Sequence, residues 1–378
     1  MQTFACVMLL SLSRSLAVAS DPLEAWTNRA SNVTAVFNNI VYGGRLLVAV
    51  GSGGAIVSSP DGVEWTPQFS GVQASLYAIA YGDGTYVAVG ANGTIVSSPD
   101  ADFWTPQDSK TTASLYGVAY GNGVFVAAGG STVSVSSNGI DWVAITTPAL
   151  TGANMNDITF GGGRFMGVGA STNAMTSTDG LVWERTGPVP PALFAVLYGA
   201  GKYVAVGGGF GSQSLIAYSS DGRRWNTNVL NTTLPLVDIA CGNGLFVVVG
   251  LTFFGPTTVW SSSNGMSWTA HTLTFPQTLY GVGYGNSTFV AIGANGYIAQ
   301  SGSYAPAQLR IVNRPGINDF LLEISGERGR TYRLEAASDL ATSNWQALVT
   351  FKNAAGTTFI RDSTARRSGE RFYRVVSP

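Results

Sequence analysis

Apolar residues in this chain come in short, nearly continuous runs separated by tight polar turns. "LYAIAYG" (Leu76 to Gly82) and "TYVAVG" (Thr85 to Gly90) are typical, joined by the Asp83-Gly84 turn. Runs this short and this apolar predict strands covered on both faces. A Gly-containing turn between two of them predicts a hairpin. A variable loop follows each hairpin. Then comes a third apolar strand ending in Ser-x-Asp/Asn, a Gly, and a Trp four residues after the Asp or Asn, as in "SSPDGVEW" (Ser58 to Trp65). No stretch carries helical spacing, and the chain reads as all-β.

The unit repeats. Predicted hairpins span Phe37–Gly51, Leu76–Gly90, Leu115–Gly129, Met155–Gly169, Leu193–Gly207, Leu236–Gly250 and Leu279–Gly293. The Trp residues that close the units are Trp65, Trp104, Trp142, Trp183, Trp225 and Trp268, spaced 38 to 43 apart. Four strands at a period near forty predict a β-propeller, here seven-bladed. The seventh unit lacks its Trp, but Trp26 stands 39 residues before Trp65. The N-terminal strand is therefore expected to complete the last blade and close the ring, leaving no open edge. The repetition has a physical reason: a lone blade cannot cover its two apolar faces, and a neighbour on each side can.

Composition divides the chain. Residues 21–305 carry 8 Lys/Arg against 14 Asp/Glu, a net of −6, while residues 306–378 carry 11 against 7, a net of +4. The expected organisation is a signal peptide over 1–20, the propeller over 21–305 and a small β-sandwich over 306–378. Neither part is basic enough to predict a nucleic-acid partner. Residues 1–20 end in a small-residue stretch around Ala17-Val18-Ala19 and read as a secretory signal. No other segment offers the ~20 apolar residues needed to cross a membrane. With Cys6 inside the signal, Cys241 is left alone, which rules out a disulfide framework and reads as a small buried hydrophobe.

The Ser-x-Asp turns resemble the Asp-box, or BNR repeat, of sialidase-like and photosystem-assembly-factor-like propellers, with one residue fewer between Asp and Gly. The resemblance runs through Asp61, Asp100, Asn138, Asp179, Asp221 and Asn264, with Ser always two residues earlier. It implies a secreted bacterial repeat protein of that superfamily and says little about activity. Asn in two of the six turns indicates that the site needs an acceptor rather than a charge, so these residues are expected to be structural. Sialidase catalysis is not implied: no Arg-Ile-Pro motif occurs, and Arg223 and Arg224 lie in one of the turns themselves. In the C-terminal part, "GRTYRLEAASDL" with "NW" and "FYRV" resembles a module appended to many exported bacterial proteins, which implies envelope attachment. Arg361, Arg366, Arg367, Arg371 and Arg374 are its candidate anion contacts.

Candidate chemistry is sparse. Ligands are expected on the upper face, where blades five and six carry long loops with Phe210, Phe253 and Phe254. Arg185, Asn39 and Phe275 are further ligand-binding candidates. The third position of the innermost strand is Ala or Gly in most blades but Asn39, Asp157 and Asp238 in blades one, four and six. Two carboxylates across a channel mouth suit acid–base cleavage of a glycosidic bond; capping of backbone groups at the strand start, or bridging to channel water, is the alternative. His271, the single His, is read as lying in the loop leaving blade six. Its isolation excludes a multi-histidine metal site. No cofactor or metal is implied. The expectation is an exported, monomeric, non-catalytic protein, secreted or held at the cell surface or in the periplasm. It would bind a glycan or a protein on its upper face. The alternative is a glycoside hydrolase or polysaccharide lyase using Asp157, Asp238 or His271.

Overall fold

The computed structural model describes residues 22–302 except 210, 212, 253–254, 274 and 276, together with 308–312, 320–325, 331–337, 345–353, 357–362 and 372–376. Contacts divide the chain into two units, one of which is residues 22–305. That unit contains seven four-stranded antiparallel sheets. In blade one the strands are Phe37–Gly43, Leu46–Gly51, Ile56–Ser59 and Thr66–Gln68, paired in that order. Blades two to six repeat the meander. In blade three the innermost strand begins at Gly117 instead of Leu115, although Tyr116 N still donates to Ala128 O at 2.8 Å.

Blade seven takes its outer strand from the other end of the chain. Trp26–Arg29 pairs antiparallel with Ile298–Ser301, Trp26 opposite Ser301. Trp26 Nε1 donates to Leu23 O at 2.9 Å, three residues back, as Trp65 Nε1 donates to Gly62 O at 3.1 Å. Where the other blades have a Ser-x-Asp/Asn turn, this blade has two separate chain segments. Gly302 N spans the gap, donating to both Pro22 O and Ala25 O at 2.9 Å.

The innermost strand of each blade lies against those of both neighbours, blade one against blades two and seven. Seven hydrophobic clusters sit between the blades. Each joins two neighbours: Val48, Val50 and Ile56 of blade one, for example, pack with Leu76, Ile79 and Trp104 of blade two. Leu23, fully buried, joins the cluster between blades six and seven. Burial is therefore obtained between sheets, and a blade removed from the ring loses both of its cores.

At its far end the innermost strand of every blade but the sixth sets an aromatic ring over a Gly of the neighbouring blade. Tyr81 lies over Gly43, Tyr120 over Gly82, Phe160 over Gly121, Tyr198 over Gly161, Tyr284 over Gly242 and Tyr42 over Gly285. A Cβ added to Gly82 would stand 2.0 Å from Tyr120 Cγ, so glycine is required by close approach. Cys241 takes the aromatic position in blade six and packs on Gly199. The alternating strand directions fix the two faces. Hairpin turns and Ser-x-Asp/Asn turns lie on the lower face; starts of the innermost strands and links between blades lie on the upper one.

The described residues from Gln308 to Val376 form two three-stranded sheets, Gln308–Val312 with Phe320–Ser325 and Thr357–Asp362, and Gln346–Lys352 with Thr331–Ala337 and Phe372–Val376. Leu322 and Ile324 of one pack on Leu334 of the other, giving a small two-sheet sandwich.

Candidate functional site

The lower-face turns are built alike. In blade one, Ser59 Oγ accepts from Gly62 N at 2.8 Å and donates to Asp61 Oδ1 at 3.3 Å; Asp61 Oδ1 in turn accepts from Val63 N and Glu64 N. Asn138 Oδ1 accepts from Ile140 N and Asp141 N, both at 2.9 Å, and Asn264 Oδ1 from Met266 N and Ser267 N. A neutral amide thus does what the carboxylate does. Those N–H bonds hold the carboxyls of Asp61, Asp100, Asp179 and Asp221 below their ordinary range, Asp221 at about 2. The Ser Oγ and the Asp or Asn Oδ1 of each turn are thus committed to the turn's own backbone N–H groups.

His271 stands on a strand, in contrast to the loop expected from sequence. The outer strand of blade six is Thr269–Thr272, and Thr272 pairs with Thr258, so pairing extends past the His. The side chain is 4% exposed. Its Nε2 lies 2.8 Å from Ser261 Oγ and its Nδ1 2.9 Å from Glu24 Oε1. The order Ser–His–Glu is that of a hydrolase triad. Blade one, however, has the same arrangement without a base: Gln68 Nε2 bonds Ser58 Oγ at 2.9 Å and Asp102 Oδ1 at 3.1 Å. Gln68 and His271 each stand three residues after their blade's Trp, and Asp102 and Glu24 each stand two before the Trp of the next blade. Blade two repeats half of it, Gln107 Nε2 to Ser97 Oγ at 3.0 Å. The line is therefore a tie between neighbouring blades, and Ser261 is itself 8% exposed.

The channel mouth brings three sequence candidates together. Asn39, Asp157 and Asp238 all line one axial cavity of about 280 Å³. Each follows a bulge where the innermost strand slips against the second. Asp157 Oδ1 accepts from Ile158 N at 2.7 Å, and its Oδ2 from Val196 N of blade five at 2.8 Å. Asp238 accepts likewise from Ile239 N and from Val282 N of blade seven, both at 2.8 Å. Asn39 Oδ1 accepts from Ile79 N of blade two at 3.1 Å. All three are latches from one blade to the next, the backbone-capping alternative noted above. Ala78, Gly117, Ala195 and Gly281 make no such bond, and Gly117 leaves room for Asp157: an added Cβ would meet Asp157 Oδ1 at 3.0 Å.

Both carboxylates are half-buried by area, because the cavity reaches them, yet protein encloses them. That enclosure pushes the Asp157 carboxyl up to about 7. It pushes Asp238 to about 8, where the charge of Asp157 adds to it. In each case the N–H bonds oppose the rise. A carboxylate has about four acceptor sites, and each Asp uses two of them on N–H groups. Both side chains line the cavity.

The residue at the bulge itself was not singled out from sequence. Position two of the innermost strand is Asn38, Tyr77, Tyr116, Asn156, Phe194, Val237 and Tyr280 in turn around the mouth. The Tyr77 and Tyr116 rings stack, centroids 5.4 Å apart, and Tyr116 is 44% exposed. Asn38 and Asn156 instead donate to Leu76 O and Leu193 O of the next blade. The signal lay in "LY" and "LF" opening four of the seven strands, hidden because apolar residues flank it.

Other candidates are elsewhere. Arg185 lies on the outer strand of blade four and its Nη2 donates to Thr151 O. Phe275 packs on Tyr297 with centroids 5.2 Å apart, against the cluster between blades six and seven. Phe210, Phe253 and Phe254 lie outside the described residues, as do Arg366, Arg367 and Arg371. Arg361 is exposed, and Arg374 is held by Glu335 at 2.7 Å and stacked 4.3 Å over the Trp345 ring. Among the described residues no group of three or more His, Cys, Asp or Glu is placed to hold a metal ion. No helix among them is long and apolar enough to cross a membrane.

No protein-family model matches the chain, and no curated protein matches its sequence. Solved structures do. YCF48 bound to a D1 peptide superposes with a TM-score of 0.59 at 16% identity, over 76% of this chain and 99% of that one. Virginiamycin B lyase from Staphylococcus aureus gives 0.61 at 12%, over 74% and 99%. The WD40 propeller domain of Doa1 gives 0.56 at 15%, over 74% and 97%. At such identities the likeness shows the fold, and the fold is a β-propeller.

Proposed function

We propose that this chain is an exported, non-catalytic binding or scaffolding protein that recognises a polypeptide on its upper face. The observation that carries the reading is the Tyr77–Tyr116 stack at the channel mouth, with Tyr116 exposed and Tyr77 half-buried. Asn, Val and Phe serve at the same bulge in other blades, so the fold does not need Tyr there. Two of the similar propellers lend support in kind: one is bound to a peptide and one is a WD40 domain. Against the enzyme alternative stands the use of Asp157, Asp238 and His271 as ties between blades. The export part rests on residues 1–20, and the C-terminal unit is proposed to hold the chain at the envelope. The test is to pan the immobilised full chain against displayed peptides and a glycan array. Peptide ligands whose affinity drops about tenfold in the Tyr77→Ala/Tyr116→Ala pair support the reading. Glycan-only binding, or release of reducing ends from a bound glycan, overturns it.

A further inference from the structure

We infer that the partner presents a lysine or arginine side chain to this face: the basic group enters the axial cavity between Asp157 and Asp238 while the segment carrying it lies along the Tyr77–Tyr116 rim. The inference rests on the proposed upper-face function and names the chemistry of its partner. Three observations lead to it. The cavity is large enough for a long side chain, and its lining includes no Lys, Arg or His. Its other ionisable groups are Tyr42, Cys241 and Tyr284, and burial pushes the Cys241 thiol up to about 11. The residues that precede the channel-lining positions supply the second observation, with Tyr77, Tyr116, Phe194 and Tyr280 around the mouth. Aromatic faces favour cations and the hydrocarbon stems that carry them. The third is charge: residues 21–305 carry a formal net of −6, which favours the approach of a basic segment to the propeller as a whole.

The two carboxyls as they stand are enclosed acids without a counter-charge. An incoming ammonium or guanidinium supplies one and restores the ionised form, so binding expels protons. The affinity must then rise with pH until both acids are ionised without the ligand. Hydrophobic docking alone has no such dependence.

The experiment uses the full chain and dodecapeptides enriched from a random displayed library, resynthesised with each Lys or Arg replaced by norleucine. The expected result is one basic position whose replacement costs about tenfold or more in affinity. Wild-type affinity falls by about tenfold from about pH 8 to about pH 5, and calorimetry in buffers of different ionisation enthalpy shows proton release. The Asp157→Asn/Asp238→Asn pair loses both effects. Asn39 makes the same latch with an amide, so this variant is expected to keep the ring, and its melting curve checks that. The pH profile and the proton count need no variant. Peptides that lose affinity in the tyrosine pair but ignore norleucine, pH and the Asp→Asn pair sink this inference and leave the binding function standing. Peptides indifferent to the tyrosine pair as well sink both.

Discussion

At the scale of single residues, a carboxyl group in this protein is decided by what surrounds it. Asp61 and Asp238 each accept two backbone N–H bonds, yet one carboxyl sits below its ordinary range and the other far above. Exposure is the difference: water screens Asp61, and protein encloses Asp238. The two classes act on stability in opposite directions and in separate pH windows. The lower-face carboxyls have lowered values, so their contribution is present above about pH 4 and is lost as the pH falls through their folded-state values. Asp157 and Asp238 are raised, so their contribution is full below about pH 4, where both states hold the proton. It is lost as pH climbs to about 7 and 8, because the unfolded chain ionises first. Denaturant midpoints across that span should show wild type losing stability on the order of a few kcal/mol. The Asp157→Asn/Asp238→Asn pair should stay nearly level. A wild-type profile as flat as the variant's would mean that water in the channel solvates both acids fully.

At the scale of the element, the four-strand unit is legible in sequence wherever its role is backbone geometry. Gly and Asn at the hairpins and Ser with Asp or Asn at the lower turns mark their own φ values and acceptors, and the structure puts strands where they predict. Position-specific roles between blades were far harder to read. Nothing local says that Gln68 and His271 do one job, because the partners, Asp102 and Glu24, belong to the next blade. That equivalence makes a prediction. His271→Gln should keep the melting temperature within about a degree or two of wild type, since Gln68 shows that an amide reaches both partners. His271→Ala leaves Ser261 unpartnered in a buried site and should cost about 1 to 3 kcal/mol. If Gln proves as damaging as Ala, the imidazole has a role that the repeat does not explain. The aromatic–Gly pairs give a harsher case: Gly82→Ala drives a methyl into Tyr120 and should cost about 1 to 3 kcal/mol, read from the urea midpoint.

At the scale of the whole molecule, burial between sheets makes the ring one cooperative object, and its seam deserves the closest test. The seam was visible in sequence as a spacing, Trp26 to Trp65, because the unit that closes the ring obeys the same period as the rest. What the spacing could not convey is how the cut turn is mended, since bonds from Gly302 N to Pro22 O and Ala25 O depend on backbone alone. Four strand residues, the buried Leu23 and the Glu24–His271 contact hold the last blade shut. A chain lacking residues 1–29 loses all of these together. It also uncovers the edge of Ile298–Ser301, a strand with no Pro or charge to discourage pairing. The expected outcome is a lower thermal midpoint together with self-association in light scattering, relieved by adding the missing segment as a peptide. The substitution Trp26→Ala separates packing from edge exposure: it should cost about 2 to 4 kcal/mol while leaving the strand paired and the association state that of the full chain. If the truncated chain melts like the full one and associates no more, the first strand is an ornament on a ring already closed by the cores between its seven blades.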